Sequence, residues 1–97
     1  MSEAPDPDLV DNVEHHRFEI TVDGHPAFIL YRPFSGGLVL VHTEVPKELE
    51  GRGIGGRLVK ATLLALRQRG VKIRPDCPFV AGYIERHPEF ADLVAGA

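Results

Sequence analysis

From Phe18 to Val22 the apolar residues Phe18, Ile20 and Val22 alternate with Glu19 and Thr21. A period of two places successive side chains on opposite faces, so the stretch reads as a half-buried strand. Asp23-Gly24 follows as a short hairpin signal, because both central positions of a type I′ turn need positive φ. A second strand is expected at about 27–32, a turn at Pro33-Phe34-Ser35-Gly36-Gly37, and a third strand over 38–45. The unbroken run Leu38-Val39-Leu40-Val41 predicts burial on both faces of that strand. Pro46 ends it, since proline cannot donate to a sheet.

The period then changes from two to 3.6. Ile54, Leu58, Ala61 and Ala65 form one stripe with Thr62 and Leu66 beside it, and Arg57, Lys60, Arg67 and Gln68 lie opposite. Gly70 stops this helix. Residues 71–74 read as a fourth strand, Pro75 and Pro78 fix the loop around Cys77, and a shorter helix over 78–86 closes at Pro88. The order is β-β-β-α-β-α. It predicts an α+β fold with a mixed sheet: three antiparallel strands, then a right-handed parallel βαβ crossover and a C-terminal helix. Residues 1–12, rich in proline and aspartate, are expected to be a disordered tail, leaving 13–97 as a single domain.

Composition narrows the function classes. With 97 residues, 43% hydrophobic and 26% charged, the chain is of ordinary globular type. One cysteine excludes an intrachain disulfide framework and a multi-cysteine zinc site. His15 and His16 are adjacent and make a poor metal pair, His25 follows the hairpin, and His87 precedes Pro88, so no metal is expected. No apolar run approaches the length of a membrane helix, and the acidic, apolar-poor N-terminus is unlike a signal peptide, so a cytoplasmic location is expected. Residues 51–75 carry seven basic residues and no acid, +7; the remaining four basic and fourteen acidic residues leave −10, for a net −3. This segregation points to a local anion site, or to a solvated helix face, on a protein whose acidic remainder disfavours nucleic acid.

The stretch Glu50-Gly51-Arg52-Gly53-Ile54-Gly55-Gly56-Arg57 is the most informative in the chain. Four glycines in six residues let backbone approach a ligand, and the first N–H groups of the helix have no internal partner. Such a turn suits a phosphate or pyrophosphate, with Arg52 and Arg57 as flanking donors and Lys60 one turn on. A Walker A loop is excluded because no Lys-Ser/Thr follows, and a Rossmann fingerprint lacks its downstream acid.

Val45-Pro46 followed by Gly51-Arg52-Gly53-Ile54-Gly55 resembles motif A of the GNAT superfamily of acetyl-CoA-dependent N-acetyltransferases, usually written Arg/Gln-x-x-Gly-x-Gly/Ala. Tyr83-Ile84-Glu85-Arg86-His87-Pro88-Glu89-Phe90 resembles the superfamily's later tyrosine-bearing helix. Together with His42-Thr43-Glu44-Val45-Pro46 and Cys77-Pro78-Phe79, these motifs look like the small single-domain GNAT-like group over about residues 15–94. Glu50 departs from the motif where Arg/Gln is usual, and the chain lacks the two helices that longer members place between their first strands.

The resemblance implies acetyl-CoA as cofactor, with its pyrophosphate on Arg52, Gly53, Ile54, Gly55, Gly56 and Arg57 and its pantetheine arm along Glu44 and Val45. Tyr83, at the superfamily's tyrosine position, is the candidate proton donor; it fits a half-buried core tyrosine equally well. Glu44 is the candidate base, and His42 shares its face of the strand while Thr43 points the other way. Cys77 offers a second route through an acetyl-enzyme, with a base such as His42 needed to activate the thiol. The implied partners are acetyl-CoA and an amine acceptor, either a small molecule or a protein lysine, with no nucleic acid or membrane and a monomer or weak homodimer. Two further readings stand beside this one: a CoA-binding module with little or no turnover, acting as a sensor or partner-dependent subunit, and a small anion-binding structural domain.

Overall fold

The structure, a computed structural model, describes residues 3–96. Seven regular elements follow in order: β1 (Val10–Asn12), β2 (Arg17–Val22), β3 (His25–Phe34), β4 (Gly37–Glu44), α1 (Ile54–Arg69), β5 (Lys72–Pro75) and α2 (Pro78–Arg86). The five strands form one sheet in chain order. The first four are antiparallel neighbours, and β4 pairs with β5 in parallel across the α1 crossover. The fold class is the α+β mixed sheet expected, with one strand more: four antiparallel strands precede the crossover.

The additional strand lies within the stretch expected to be a tail. Val10, Asp11 and Asn12 pair with Glu19, Phe18 and Arg17. Three tertiary contacts hold this segment where local sequence offers no strand signal. Tyr31 donates its hydroxyl to Asp11 at 2.7 Å, Arg69 donates to the same carboxylate at 2.8 Å, and Asn12 donates to Glu19 at 3.3 Å. Met1 and Ser2 lie outside the described residues.

Between β2 and β3, Asp23 and Gly24 take φ of 52° and 78°, as a type I′ turn requires. Register follows the alternation: Phe18 pairs with Ile29 and Ile20 with Ala27, and all four are fully buried. Their neighbours Arg17, Glu19, Phe28 and Leu30 face away and are only half-buried. Arg17 lies over the Phe28 ring, 4.4 Å from its centroid, and pairs with Glu19. Among the described residues no α-helix lies between the strands β1 to β4. Burial on both faces of β4 holds for Val39 and Leu40 but fails at Val41, which is 38% exposed.

α1 starts and stops where the sequence indicates, with Gly53 and Gly70 as its left-handed caps. It is buried far beyond one stripe, however: every residue from Ala61 to Leu66 is inside. The helix packs on β2 and β3 and also against α2 and the 3-10 segment Pro88–Leu93, so a second face is covered. The C-terminal segment is itself tied back by Ala95 N–H to the Ile73 carbonyl at 2.8 Å. One consequence is a stranded polar atom: the Thr62 hydroxyl is buried with no hydrogen-bond partner among the described residues.

Candidate functional site

Beyond Glu44 the chain leaves the sheet through Val45-Pro46 and a 3-10 turn at Lys47–Leu49. Leu49 is 1% exposed and anchors this turn in the core, while Glu50, Gly51, Arg52 and Gly53 stand in solvent. Gly53, at φ 70°, reverses the chain into α1 and carries no side-chain cap. The first helical bond runs from Arg57 N–H to the Gly53 carbonyl at 3.1 Å. The N–H groups of Ile54, Gly55 and Gly56 precede it, at the positive end of the helix dipole. A Cβ on Gly53 would meet nothing within 4 Å. Gly55 serves differently: a Cβ there would lie 2.7 Å from the Phe79 ring, so this glycine admits the start of α2 rather than a ligand.

The strand that leads to this turn parts from its neighbour before it ends. β4 and β5 pair from Gly37↔Lys72 to Leu40↔Pro75, and Cys77 N–H adds a final bond to the Leu40 carbonyl at 2.9 Å. There the chain turns into α2. Val41 to Glu44 therefore have a strand neighbour, β3, on one edge only. The β3–β4 register shifts between Leu30 and Tyr31, which pair with His42 and Leu40 and leave Val41 as a bulge. The backbone edge leading to Glu44 thus has no strand partner on the β5 side among the described residues.

The flanking cations do not stand open. Arg52 is held by Asp23 of the β2–β3 hairpin at 2.8 Å. Arg57 donates to Asp6 at 2.6 and 3.1 Å and to Asp8 at 2.9 Å, and Lys60 pairs with Glu3 at 2.9 Å. The Arg57 guanidinium holds the Asp6 carboxyl below the usual range, and Arg52 does the same for Asp23. Further along, Arg67 meets Asp92, Arg69 meets Asp11, Lys72 donates to the Asp92 carbonyl and Arg74 approaches Asp76. The +7 stretch and the acidic remainder are therefore complementary partners in folding. Glu50, at the usual Arg/Gln position, is exposed.

The candidate catalytic residues fall in three places. Cys77 is 3% exposed where β4 and β5 part, its sulfur 3.3 Å from the Thr43 hydroxyl. His42 and Glu44 share a face, as the alternation requires, with 3.5 Å between Nε2 and Oε1, and both are exposed. The thiol's neighbour is thus Thr43, on the opposite side from His42; the pairing of Cys77 with His42 is not formed. Tyr83 stands against α1, 3.9 Å from the position of a Cβ on Gly56, stacked on His87 at 4.1 Å. Burial pushes its phenol above the ordinary value; Lys60 opposes this and Glu89 and Glu3 add to it. A phenol is neutral near pH 7 in any case and able to donate; the shift only keeps it so to higher pH. Among the described residues no hydrogen bond joins Tyr83 to Cys77, His42 or Glu44.

Of the residues the sequence reading passed over, Thr43, Phe79, Asp6 and Asp8 all touch this site. The two aspartates carried one signal, an unbalanced +7 stretch facing a −10 remainder.

Comparison with known proteins agrees with this geometry. Residues 17–93 match the family model of the GCN5-related N-acetyl-transferase. The chain is 30% identical over 93 residues to Protein NATD1 of Xenopus tropicalis, covering 89% of this chain and 85% of that one. To the Mus musculus Protein NATD1 it is 32% identical over 83 residues, 78% of this chain and 76% of the relative. A GCN5-like protein from Staphylococcus aureus, solved by NMR, superposes with a TM-score of 0.65 at 30% identity, over 84% of this chain and 83% of that one. Its sheet, its uncapped glycine turn and these matches lead to one assignment: the chain belongs to the GCN5-related N-acetyl-transferase family.

Proposed function

We propose that this domain binds acetyl-CoA and transfers its acetyl group to an amine. The observation that carries the reading is a pair of unsatisfied backbone features on one stretch of chain: the β4 edge beyond Leu40, which β5 does not pair, and the N-terminus of α1, which has no side-chain cap. Three consecutive backbone N–H groups suit the pyrophosphate, and the empty space over Gly53 admits it. The β4 edge suits the amide-bearing pantetheine arm, which pairs with backbone as a strand would. When bound, acetyl-CoA supplies a thioester whose acetyl group is activated for transfer.

The chain's own residues then have separate tasks. Ile54, Gly55 and Gly56 hold phosphate oxygens through backbone N–H groups. Glu44, exposed at the end of β4, takes a proton from the incoming ammonium directly or through water. Tyr83, a neutral phenol near pH 7, supplies a proton to the departing thiolate. The missing helical insert leaves the acceptor side open, which suits a small amine or a protein lysine.

That no hydrogen bond links Cys77, the His42/Glu44 pair and Tyr83 favours a second reading, a CoA-binding module with little turnover. Calorimetry with CoA, acetyl-CoA and ADP on wild type, Gly53→Val and Arg52→Glu tests both. The cofactor reading expects micromolar CoA binding in wild type and at least tenfold weaker binding in folded Gly53→Val. Absence of CoA binding, or unchanged affinity in both variants, defeats it. Acetyl transfer to a screened amine that drops in Tyr83→Phe supports the transferase; tight CoA binding without transfer supports the module.

A further inference from the structure

The N-terminal segment lies across the first two turns of α1. Asp6 and Asp8 together take Arg57: Nε donates to one Asp6 oxygen at 2.6 Å, and one terminal nitrogen donates to the other at 3.1 Å and to Asp8 at 2.9 Å. Glu3 takes Lys60, one turn further on. The segment is shaped for this. Asp8 N–H donates to the Asp6 carboxylate at 2.9 Å and Leu9 N–H to the Asp6 carbonyl at 3.1 Å, a compact turn that presents two carboxylates side by side. β1 begins immediately afterwards, so the turn is tethered on a short leash over the helix.

We infer that residues 3–8 form an anionic strap that occupies the cations beside the glycine turn in place of phosphate, and that CoA must displace it to bind. This rests on the cofactor reading proposed above. Arg57 follows directly on the three uncapped N–H groups, and a bidentate grip on carboxylate oxygens is the one it would give a phosphate. Glu3, Asp6 and Asp8 bring three negative charges to a place where the ligand brings several. With Arg52 on Asp23 as well, each of the three cations nearest the turn already holds a carboxylate.

The strap is built to leave. Two of its three carboxylates face solvent, Asp8 at 66% and Glu3 at 61% exposed, and ion pairs of that kind are weak and salt-sensitive, whereas Asp6, 20% exposed, is the firmer contact. Beneath the ion pairs it does not pack down tightly: a cleft of about 340 Å³ is lined by Glu3, Ala4 and Asp6 on one side and by Arg57, Lys60, Ala61 and Leu64 on the other. Its anchor in β1 is independent, since Asp11 holds Arg69 and Tyr31 at the far end of α1. The segment can therefore swing off the helix without the sheet coming apart. A strap closed nine-tenths of the time weakens apparent affinity about tenfold.

The test compares CoA affinity, by calorimetry at fixed low ionic strength, in three full-length proteins: wild type, Asp6→Asn/Asp8→Asn, and Glu14→Gln/Glu85→Gln. The last removes the same charge away from the strap. The strap variant is expected to bind CoA about tenfold tighter and the control within twofold of wild type. Saturating wild type with CoA is expected to speed amide exchange of residues 3–9 while β1 stays protected. Equal affinities with unchanged exchange, weaker binding by the strap variant, or equal tightening in the control overturns the strap and leaves the cofactor reading standing. Failure of all three proteins to bind CoA overturns both.

Discussion

Thr62 offers a test of the packing that sets α1 against the rest of the protein. Its side chain is fully buried and its hydroxyl has no hydrogen-bond partner among the described residues. A buried hydroxyl left without a partner costs about 1–3 kcal/mol. Thr62→Val replaces that hydroxyl with a methyl group of similar size. Threonine and valine have nearly equal helix propensity, so the backbone contribution cancels. The variant is expected to be about 1 kcal/mol more stable than wild type, which raises Tm by about 4–8 °C in a domain of this size. Thr62→Ser keeps the stranded hydroxyl and loses a packed methyl, so it is expected to be about 1 kcal/mol less stable. Urea denaturation at 25 °C with matched m-values, together with thermal melts, reads both. Loss of 1 kcal/mol or more in Thr62→Val refutes the reasoning. It would mean that the hydroxyl is satisfied, by a buried water or by the Leu58 carbonyl one turn earlier.

Two further expectations concern the titratable groups of the core. Burial, and then the hydrogen bond donated to Asp11, push the Tyr31 phenol up to about 12. The unfolded phenol ionises near 10, so its neutral form contributes stability fully below that pH, and the contribution is lost as pH rises from about 10 through 12. A spectrophotometric titration should give Tyr31 a midpoint near 12, with Tyr83 also above the ordinary value; a common midpoint near 10 for both contradicts this. For Cys77, buried and hydrogen-bonded to Thr43 rather than to a histidine, intact-mass analysis after incubation with acetyl-CoA should show no acetyl adduct. Acetylation of a screened amine by Cys77→Ala should stay within twofold of wild type; an adduct that disappears in this variant would establish the covalent route.

Much of the architecture was legible along the chain because its determinants act over a few residues. The hairpin at Asp23-Gly24, the change of period at Ile54, the glycine at each end of α1 and Pro78 at the start of α2 are local devices, and each stands where its chemistry requires. The glycine turn was legible for the same reason, since positive φ at Gly53 and an uncapped helix start follow from adjacent residues. His42 and Glu44 share a face because alternation alone decides it.

What the sequence could not decide depends on which distant segments meet. Arg57 and its aspartates are 51 and 49 residues apart, and Arg69 and Asp11 are 58 apart. Such pairs form only once the sheet has closed and α1 has crossed it. They turn an acidic stretch that resembles a tail into an edge strand and a strap. Residues 51–75 still hold seven positive charges, but the structure shows each of them already engaged, with a carboxylate or, for Lys72, a backbone carbonyl. Tertiary packing likewise buried α1 on a second face, placed Phe79 over Gly55, and gave Cys77 a threonine for its neighbour. Local pattern determined the elements and the anion-binding turn between two of them. Only the closed fold decided which charges that turn would have beside it and which neighbour the Cys77 thiol would meet, because those contacts depend on distance in space and periodicity carries no record of it.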